Sequence, residues 1–478
     1  MPSILGANTL STGYDVDNSV MFDDGDSAYF SKTDYSGDGT SHDIGTLSFW
    51  LKRGELDAEQ GIITAGSSNR NFIRFESNNT FTFRSVADSF HLNTNRLFRD
   101  PTAWYHFVVA FDTTQGTDSN RVKIYVNGSQ ITSFGTADYP DQNLDIKIGA
   151  NEHHNIGRDV EQTNPYYDGY MAEFVYIDGQ QLTAASFGEF DDDTPTVWKP
   201  KDVSDLTFGT NGFYLDFETP GDMGQDKSPN TNNFDGNNLQ QKDQAQDTCT
   251  NNFCTWNPLN FSSANTNLSQ GSTKIVGGSQ DSPNYTYIAG TLAVSSGKWY
   301  WEARALDNAE IDQAGVSKAE LSNFAQLSSS GGLQATTHGG KSVQFSNGVK
   351  AGNGSQSTYM GGFSANNILM VALDMDNGNI YFGRNGQWAD GSGNADQAFG
   401  SATAAFTDLD TGEFYTPAHT MRDSAGNNSG SVAYNFGGAY NEQFADAVET
   451  DANGYGHFEY EPPSGYFSIN TKNIAEYG

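Results

Sequence analysis

Residues 104–128 read WYHFVVAFDTTQGTDSNRVKIYVNG. Two apolar, β-branched and aromatic runs, Trp104–Asp112 and Arg121–Asn127, flank a polar loop. The second run ends at Asn127–Gly128, a pair suited to a type I′ hairpin turn. Period-two alternation over such short runs predicts strands, not helices. The same signal recurs at Leu47–Lys52, Phe72–Phe75, Thr80–Arg84, Met171–Ile177 and Gly212–Phe217. It returns at Lys298–Arg304, Ile368–Leu373, Asn379–Arg384 and Ser431–Phe436. Asp178–Gly179, Asn377–Gly378 and Asn385–Gly386 supply further hairpin signals. Helical periodicity is almost absent and alternating βα units are missing, so the expectation is an all-β chain of antiparallel sandwiches.

Composition supports this. The chain has 478 residues, enough for two or three domains, with 52 Gly and 13% aromatics. Disordered chains are poor in aromatics, so this one has material for cores. Lys plus Arg is 25 and Asp plus Glu is 59, a net charge of −34. That balance argues against a nucleic-acid-coating protein and against a polybasic membrane anchor. No apolar run is long enough for a membrane helix, and the first residues have neither a basic n-region nor an apolar h-region, so no secretion signal is expected. Cys249 and Cys254 are too few for a disulfide framework and a weak zinc signal; free thiols are the first expectation, with a local disulfide or a metal as alternatives.

Four segments are expected. Residues 1–18 form a polar arm, whose Ile4, Leu5 and Leu10 suit it to docking on a neighbour. Residues 19–218 form a first β-sandwich, and residues 219–267 an Asn-rich irregular bridge. Residues 268–478 form a second sandwich that ends in a Pro/Gly-rich cover.

The first sandwich resembles the laminin G-like members of the concanavalin A-like lectin family. The resemblance rests on SVMFDDGDSAYFSK (19–32), GTLSFWLKRG (45–54), the 104–128 stretch and YYDGYMAEFVYIDGQQLT (166–183). Alternation with polar neighbours places Trp50 and Phe107 on the inner faces of the two sheets. The second sandwich resembles a SPRY domain through GKWYWEARALD (297–307), AGVSKAELS (314–322), VALDMDNGNIYFGRNGQW (371–388), SVAYNFGG (431–438) and the closing FEYEPPSGYFSINTKNI (458–474). The pairing of these modules through an Asn-rich bridge resembles virion proteins of marine tailed bacteriophages, which form fibres, spikes or appendages. Cys249 and Cys254 depart from that pattern.

The resemblance implies a non-enzymatic phage surface or tail-associated adhesin that binds host-surface glycan, contacts other virion proteins and self-associates, with a trimer expected. It implies a virion location and assembly in host cytoplasm, while the charge balance and the lack of a long apolar run imply no nucleic-acid partner and no membrane insertion. Negative charge fits work in sea water, where the Debye length is a few Å at about 0.5 M salt. A structural role, as capsid decoration or tail connector, is the first rival, and a polysaccharide depolymerase the second.

Candidate chemistry is sparse. Glu189–Asp193 and Asp374/Asp376 lack the spacing of a glycosidase carboxylate pair on a clean strand. There is no Gly-x-Ser-x-Gly elbow and no helical His pair for zinc. His106, inside a strand, reads as structural. No cofactor is required; calcium is the one cation that laminin G-like domains imply, and Asp23, Asp24 and Asp26 form the acidic loop singled out for it. Sugar sites gather on loops. Candidate ligand residues are therefore Asn69, Arg70, His153, His154, Arg158, Tyr166 and Tyr167 in the first sandwich, and Tyr359, Trp388 and Arg422 in the second.

Overall fold

A computed structural model describes residues 13–33, 35, 37, 39–88, 90–160, 165–261, 267–276, 286–307, 312–319, 332–334, 339–421, 430–439, 443–444 and 448–478. Ile4, Leu5 and Leu10 lie outside the described residues. The chain divides into two compact units, Leu10–Asn251 and Asn252–Gly478. Among the described residues no helix is long and apolar enough to cross a membrane.

The first unit packs two antiparallel sheets face to face, each with eight described strands. At the centre of one sheet, Ile44–Arg53 pairs with Tyr105–Asp112 on one side and Gly169–Asp178 on the other. Gln60–Ala65, Asn71–Phe75, Thr80–Ser85 and His91–Leu97 run side by side in the other. Phenylalanines fill the space between them. Phe49, Phe107 and Phe174 come from the first sheet, Phe75 and Phe81 from the second, and the Phe81 and Phe107 rings stack at 4.4 Å. Burial of such rings is the main favourable term in the fold.

Trp50 corrects the sequence reading. Its neighbour Phe49 enters the core, while Trp50 lies on the opposite face of the sheet, stacked on His106 at 4.6 Å. His106 sits beneath Trp198 in the same layer: the indole Nε1 donates to Nδ1 at 2.9 Å, and Nε2 meets Ser48 Oγ at 2.8 Å. Burial lowers the pKa of His106 to about 3, so the ring is neutral and structural.

The expected bridge is not a separate element. Residues 219–251 belong to the first unit. Asp235–Asn237 and Gln244–Ala245 add strands to the two sheets, beside Tyr29–Lys32 and Ser19–Phe22. Phe234 and Met223 enter the core. Asp247 is anchored deepest: its carboxylate accepts from buried Lys52 Nζ at 2.7 Å and from Trp104 Nε1 at 3.0 Å. The described end of the expected arm is also tied down, since Val16 exchanges two hydrogen bonds with Thr250 Oγ1.

The second unit takes over from Asn252. Trp256 is buried in its core. One sheet has seven described strands, with Gln313–Lys318 and Tyr415–Met421 at its centre; the other has nine, built around Lys298–Ala305 and Ile368–Asp374. The predicted cover segment is ordered: Phe467 and Ile469 fill the core, Phe467–Ser468 runs parallel to Trp299–Tyr300, and a short helix spans Thr471–Tyr477. Its N-cap Asn470 accepts from the Asn473 N–H.

Two of the four hairpin signals adopt type I′ geometry. Asn127 and Gly128 have φ of 47° and 78°, and Asn385 and Gly386 have 51° and 83°. At Asp178–Gly179 and Asn377–Gly378 only the glycine is left-handed. Asp178 instead accepts the backbone N–H groups of Thr40, Ser41 and Asn211. Cys249 and Cys254 are both buried and neither forms a disulfide, and burial pushes the Cys249 thiol pKa up.

Candidate functional site

Acidic groups meet at one rim of the first sandwich. The turn after Ser19–Phe22 carries Asp23 and Asp24, and Asp168 lies one residue before the Gly169–Asp178 strand. Register brings them together, because Phe22 pairs with Gly169. Oxygens of Asp23, Asp24 and Asp168 all lie within 4.8 Å of one another. Asp23 and Asp168 are buried while Asp24 is exposed, so the cluster opens to solvent on one side. Asp23 Oδ1 also accepts the Gly25 N–H at 2.9 Å, which shapes the turn.

Burial raises the pKa of Asp24. Glu55 rises to about 7, first through burial and then through the charge of Asp24. Confined carboxylates with raised affinity for protons are chemically suited to a hard cation. The all-oxygen donor set fits calcium, with Asp23, Asp24 and Asp168 as protein ligands, and a bound cation would neutralise the rim. Asp26 is not part of the group: it is exposed, and its carbonyl accepts from Asn238.

An aromatic patch follows from the same strands. Arg158 and Tyr166 form an isolated antiparallel bridge. The Arg158 guanidinium lies 4.8 Å from the Tyr29 ring centre and 5.5 Å from that of Tyr166, and the two rings are 6.0 Å apart. All three side chains are partly exposed. Tyr166 stands two residues before Asp168 and Tyr29 six after Asp23, so patch and carboxylates are carried by the same stretches of chain.

The other candidates separate by burial. Tyr167, between Tyr166 and Asp168, is fully buried and donates to the Lys52 carbonyl at 2.9 Å. Arg70 is buried on Asp159 at 2.6 Å, a carboxylate it shares with Arg74. His154 is buried, accepts the Gly149 N–H at 3.0 Å, donates from Nδ1 to Glu152 and has its pKa lowered to about 4 by burial. These three serve the scaffold and present no ligand surface. Asn69 is exposed and His153 partly exposed, the latter beside Asn155. In the second unit Tyr359 is buried with its hydroxyl on the Thr403 carbonyl at 2.6 Å. Trp388 is buried against Phe399 at 4.9 Å. Both are core residues, not platforms. Arg422 lies outside the described residues.

Among the carboxylates weighed for hydrolysis, Asp374 accepts both nitrogens of Asn377, Asp376 accepts the Gly297 N–H, and Asp191 accepts the N–H groups of Asp193 and Thr194. Asp374 and Asp191 thus shape local turns, and Asp376 ties together two segments distant in sequence. Sequence reasoning missed Tyr29, Glu55 and Asp168.

Residues 24–186 match the family model described as the concanavalin A-like lectin/glucanases superfamily, Laminin_G_3. No curated protein matches the chain. Among solved structures, the SPRY domain of human HERC1 is similar at 20% identity and a TM-score of 0.27, covering 35% of this chain and 91% of that one. Stonustoxin is similar at 19% identity and a TM-score of 0.27, covering 38% of this chain and 27% of that one.

Proposed function

We propose that this protein is a non-catalytic adhesin of a bacteriophage virion, binding host-surface glycan through the rim of its first sandwich with calcium as a structural partner. The observation that carries the reading is the rim itself. Three carboxylate oxygens within 4.8 Å offer a cation site, and the adjoining stretches of chain carry Tyr29, Arg158 and Tyr166, two partly exposed rings with a guanidinium against them. Such a surface stacks on sugar C–H faces and donates to their hydroxyls. The match of residues 24–186 to a lectin-containing superfamily supports the binding role. The virion setting rests on the two-module pattern of the sequence and on a charge of −34, which keeps a polar surface soluble in high salt. Several copies on one particle would turn weak single contacts into useful avidity.

The test is depletion of the purified chain by host envelope polysaccharide in sea-water salt, with calcium or with chelator. Depletion that needs calcium and is lost in Asp24→Asn and Asp168→Asn is expected. Absence of depletion in both conditions overturns the adhesin and moves the reading to a structural virion protein.

A further inference from the structure

On the first unit an open pocket of about 360 Å³ is lined by Tyr125, Thr183, Glu189, Phe190, Trp198 and Lys201. None of these belongs to the acidic rim. Its volume lies in the range of small-molecule sites. The pocket is rigidly built. The hairpin of Gly188–Phe190 with Trp198–Pro200 pairs Phe190 with Trp198, whose rings meet edge-to-face at 4.9 Å. The Trp198 indole is wedged between two glycines: a Cβ at Gly128 would stand 2.4 Å from it, and one at Gly188 2.6 Å. Its Nε1 is fixed on His106.

Two features of the pocket are open to solvent. Phe190 is 45% exposed, the one phenyl ring among the exposed large hydrophobic side chains of the described residues. The Glu189 carboxylate lies between Lys199 Nζ at 3.7 Å and Lys201 Nζ at 3.8 Å, both ion pairs longer than a hydrogen bond, while Lys199 also pairs with Asp191 at 3.3 Å and Lys201 reaches the Ala185 carbonyl at 3.5 Å. The Glu189 and Lys201 side chains are 50% and 41% exposed. Glu189 thus offers an acceptor and Lys201 a donor in a pocket that Phe190 also lines. A neutral ring with vicinal hydroxyls satisfies both, one hydroxyl donating to Glu189 and the next accepting from Lys201, with its C–H face on Phe190.

We propose that this pocket binds a neutral hexopyranose ring and is a second glycan contact on the first sandwich. The inference deepens the adhesin reading and rests on it for biological sense, but its chemistry is independent of the rim. The probes are methyl β-D-glucopyranoside, methyl β-D-galactopyranoside and methyl α-D-mannopyranoside, each added to the full chain and followed by saturation-transfer difference NMR with and without chelator. The expected result is transfer to ring C–H protons of at least one glycoside, indifferent to chelator. It should weaken about tenfold in Phe190→Ala, the scale of one lost aromatic contact. It should also weaken in Glu189→Gln, with the far-ultraviolet circular dichroism unchanged in both. No transfer from any glycoside, or equal transfer in Phe190→Ala, overturns the pocket. Polysaccharide depletion separates the two readings: loss in Asp24→Asn with retention in Phe190→Ala overturns the pocket and leaves the rim. Glycoside transfer lost in Phe190→Ala, in a chain that no polysaccharide depletes, supports the pocket and overturns the rim.

Discussion

Glu173 in the first sandwich and Glu302 in the second are both buried, both on a strand inside their sheet, and satisfied by different donors. Glu302 accepts two backbone N–H groups from the cover segment, Glu459 at 2.9 Å and Tyr460 at 2.8 Å, with Tyr300 Oη at 2.9 Å and Asn435 Nδ2 at 3.2 Å. Glu173 stands at a bulge between Ala172 and Val175, with a φ of 49°. It takes its bonds from phenols, Tyr214 at 2.8 Å and Tyr14 at 3.3 Å. Burial lifts the Glu302 pKa to about 7 and the Glu173 pKa to about 8. Three of the four donors on Glu302 are N–H groups that cannot accept, so only the Tyr300 phenol could receive a proton placed there. Phenols rotate and can accept, so Glu173 takes a proton without losing a partner. The same residue type is thus held mainly by N–H donors in one sandwich and by phenols in the other.

That contrast is open to measurement. The largest effect expected is for Glu302→Leu, which strips the acceptor from four donors of the second unit. Its urea midpoint should fall by the equivalent of about 3–5 kcal/mol, with early proteolysis of the cover segment. Asp247→Ala leaves Lys52 buried without its carboxylate and should cost about 3 kcal/mol in the first unit. Full stability in that variant would mean that the Asn-rich stretch is no part of the sandwich. Glu173→Leu should cost less, about 1–2 kcal/mol, because Tyr14 and Tyr214 already stand 3.0 Å apart and can bond each other. A loss equal to that of Glu302→Leu would erase the contrast.

The pH dependence comes next in size. Folded Glu173 holds its proton up to about 8 while the unfolded chain releases it near 4.5. Its contribution is fully present below 4.5 and lost as pH rises towards 8. His106 and His154 act in the opposite sense: burial lowers them to about 3 and about 4, so their contribution is present above 6.5 and lost on acidification. The difference in Tm between the parent and Glu173→Gln should therefore shrink from pH 5 to pH 8, a window set by that shift. An unchanged difference would place the proton elsewhere. The smallest effect is for Phe190→Ala, at most about 0.5 kcal/mol in stability, since nearly half the side chain is already in water.

Much of this architecture was legible. Alternating runs bounded by Asn-Gly and Asp-Gly turns marked the main strands, because backbone pairing and side-chain alternation are local properties. Trp50 shows where that fails. Ile44–Arg53 and Gly169–Asp178 are buried on nearly every residue of both faces, so alternation says which residues share a face but not which face is the core. The 219–251 stretch was opaque for the complementary reason. It has few apolar residues, and Asp247 earns its place through a buried amine and an indole donated by strands far away in sequence. Half of the candidate rim was visible as the Asp23–Asp24 turn, and Arg158 with Tyr166 as a loop pair. Asp168 and Tyr29 completed it through strand register alone.

The amino-acid order by itself determined the β class, the two-sandwich division and most strands, since each follows from residue propensity and short-range pattern. Tertiary structure alone decided which loop residues became scaffold, as Arg70, His154 and Tyr167 did, and which carboxylates gathered into a cluster. It also decided that a hairpin would leave Phe190 open beside Glu189 and Lys201. Those outcomes depend on distances between residues remote in sequence, and pairing register and packing, not local composition, set such distances.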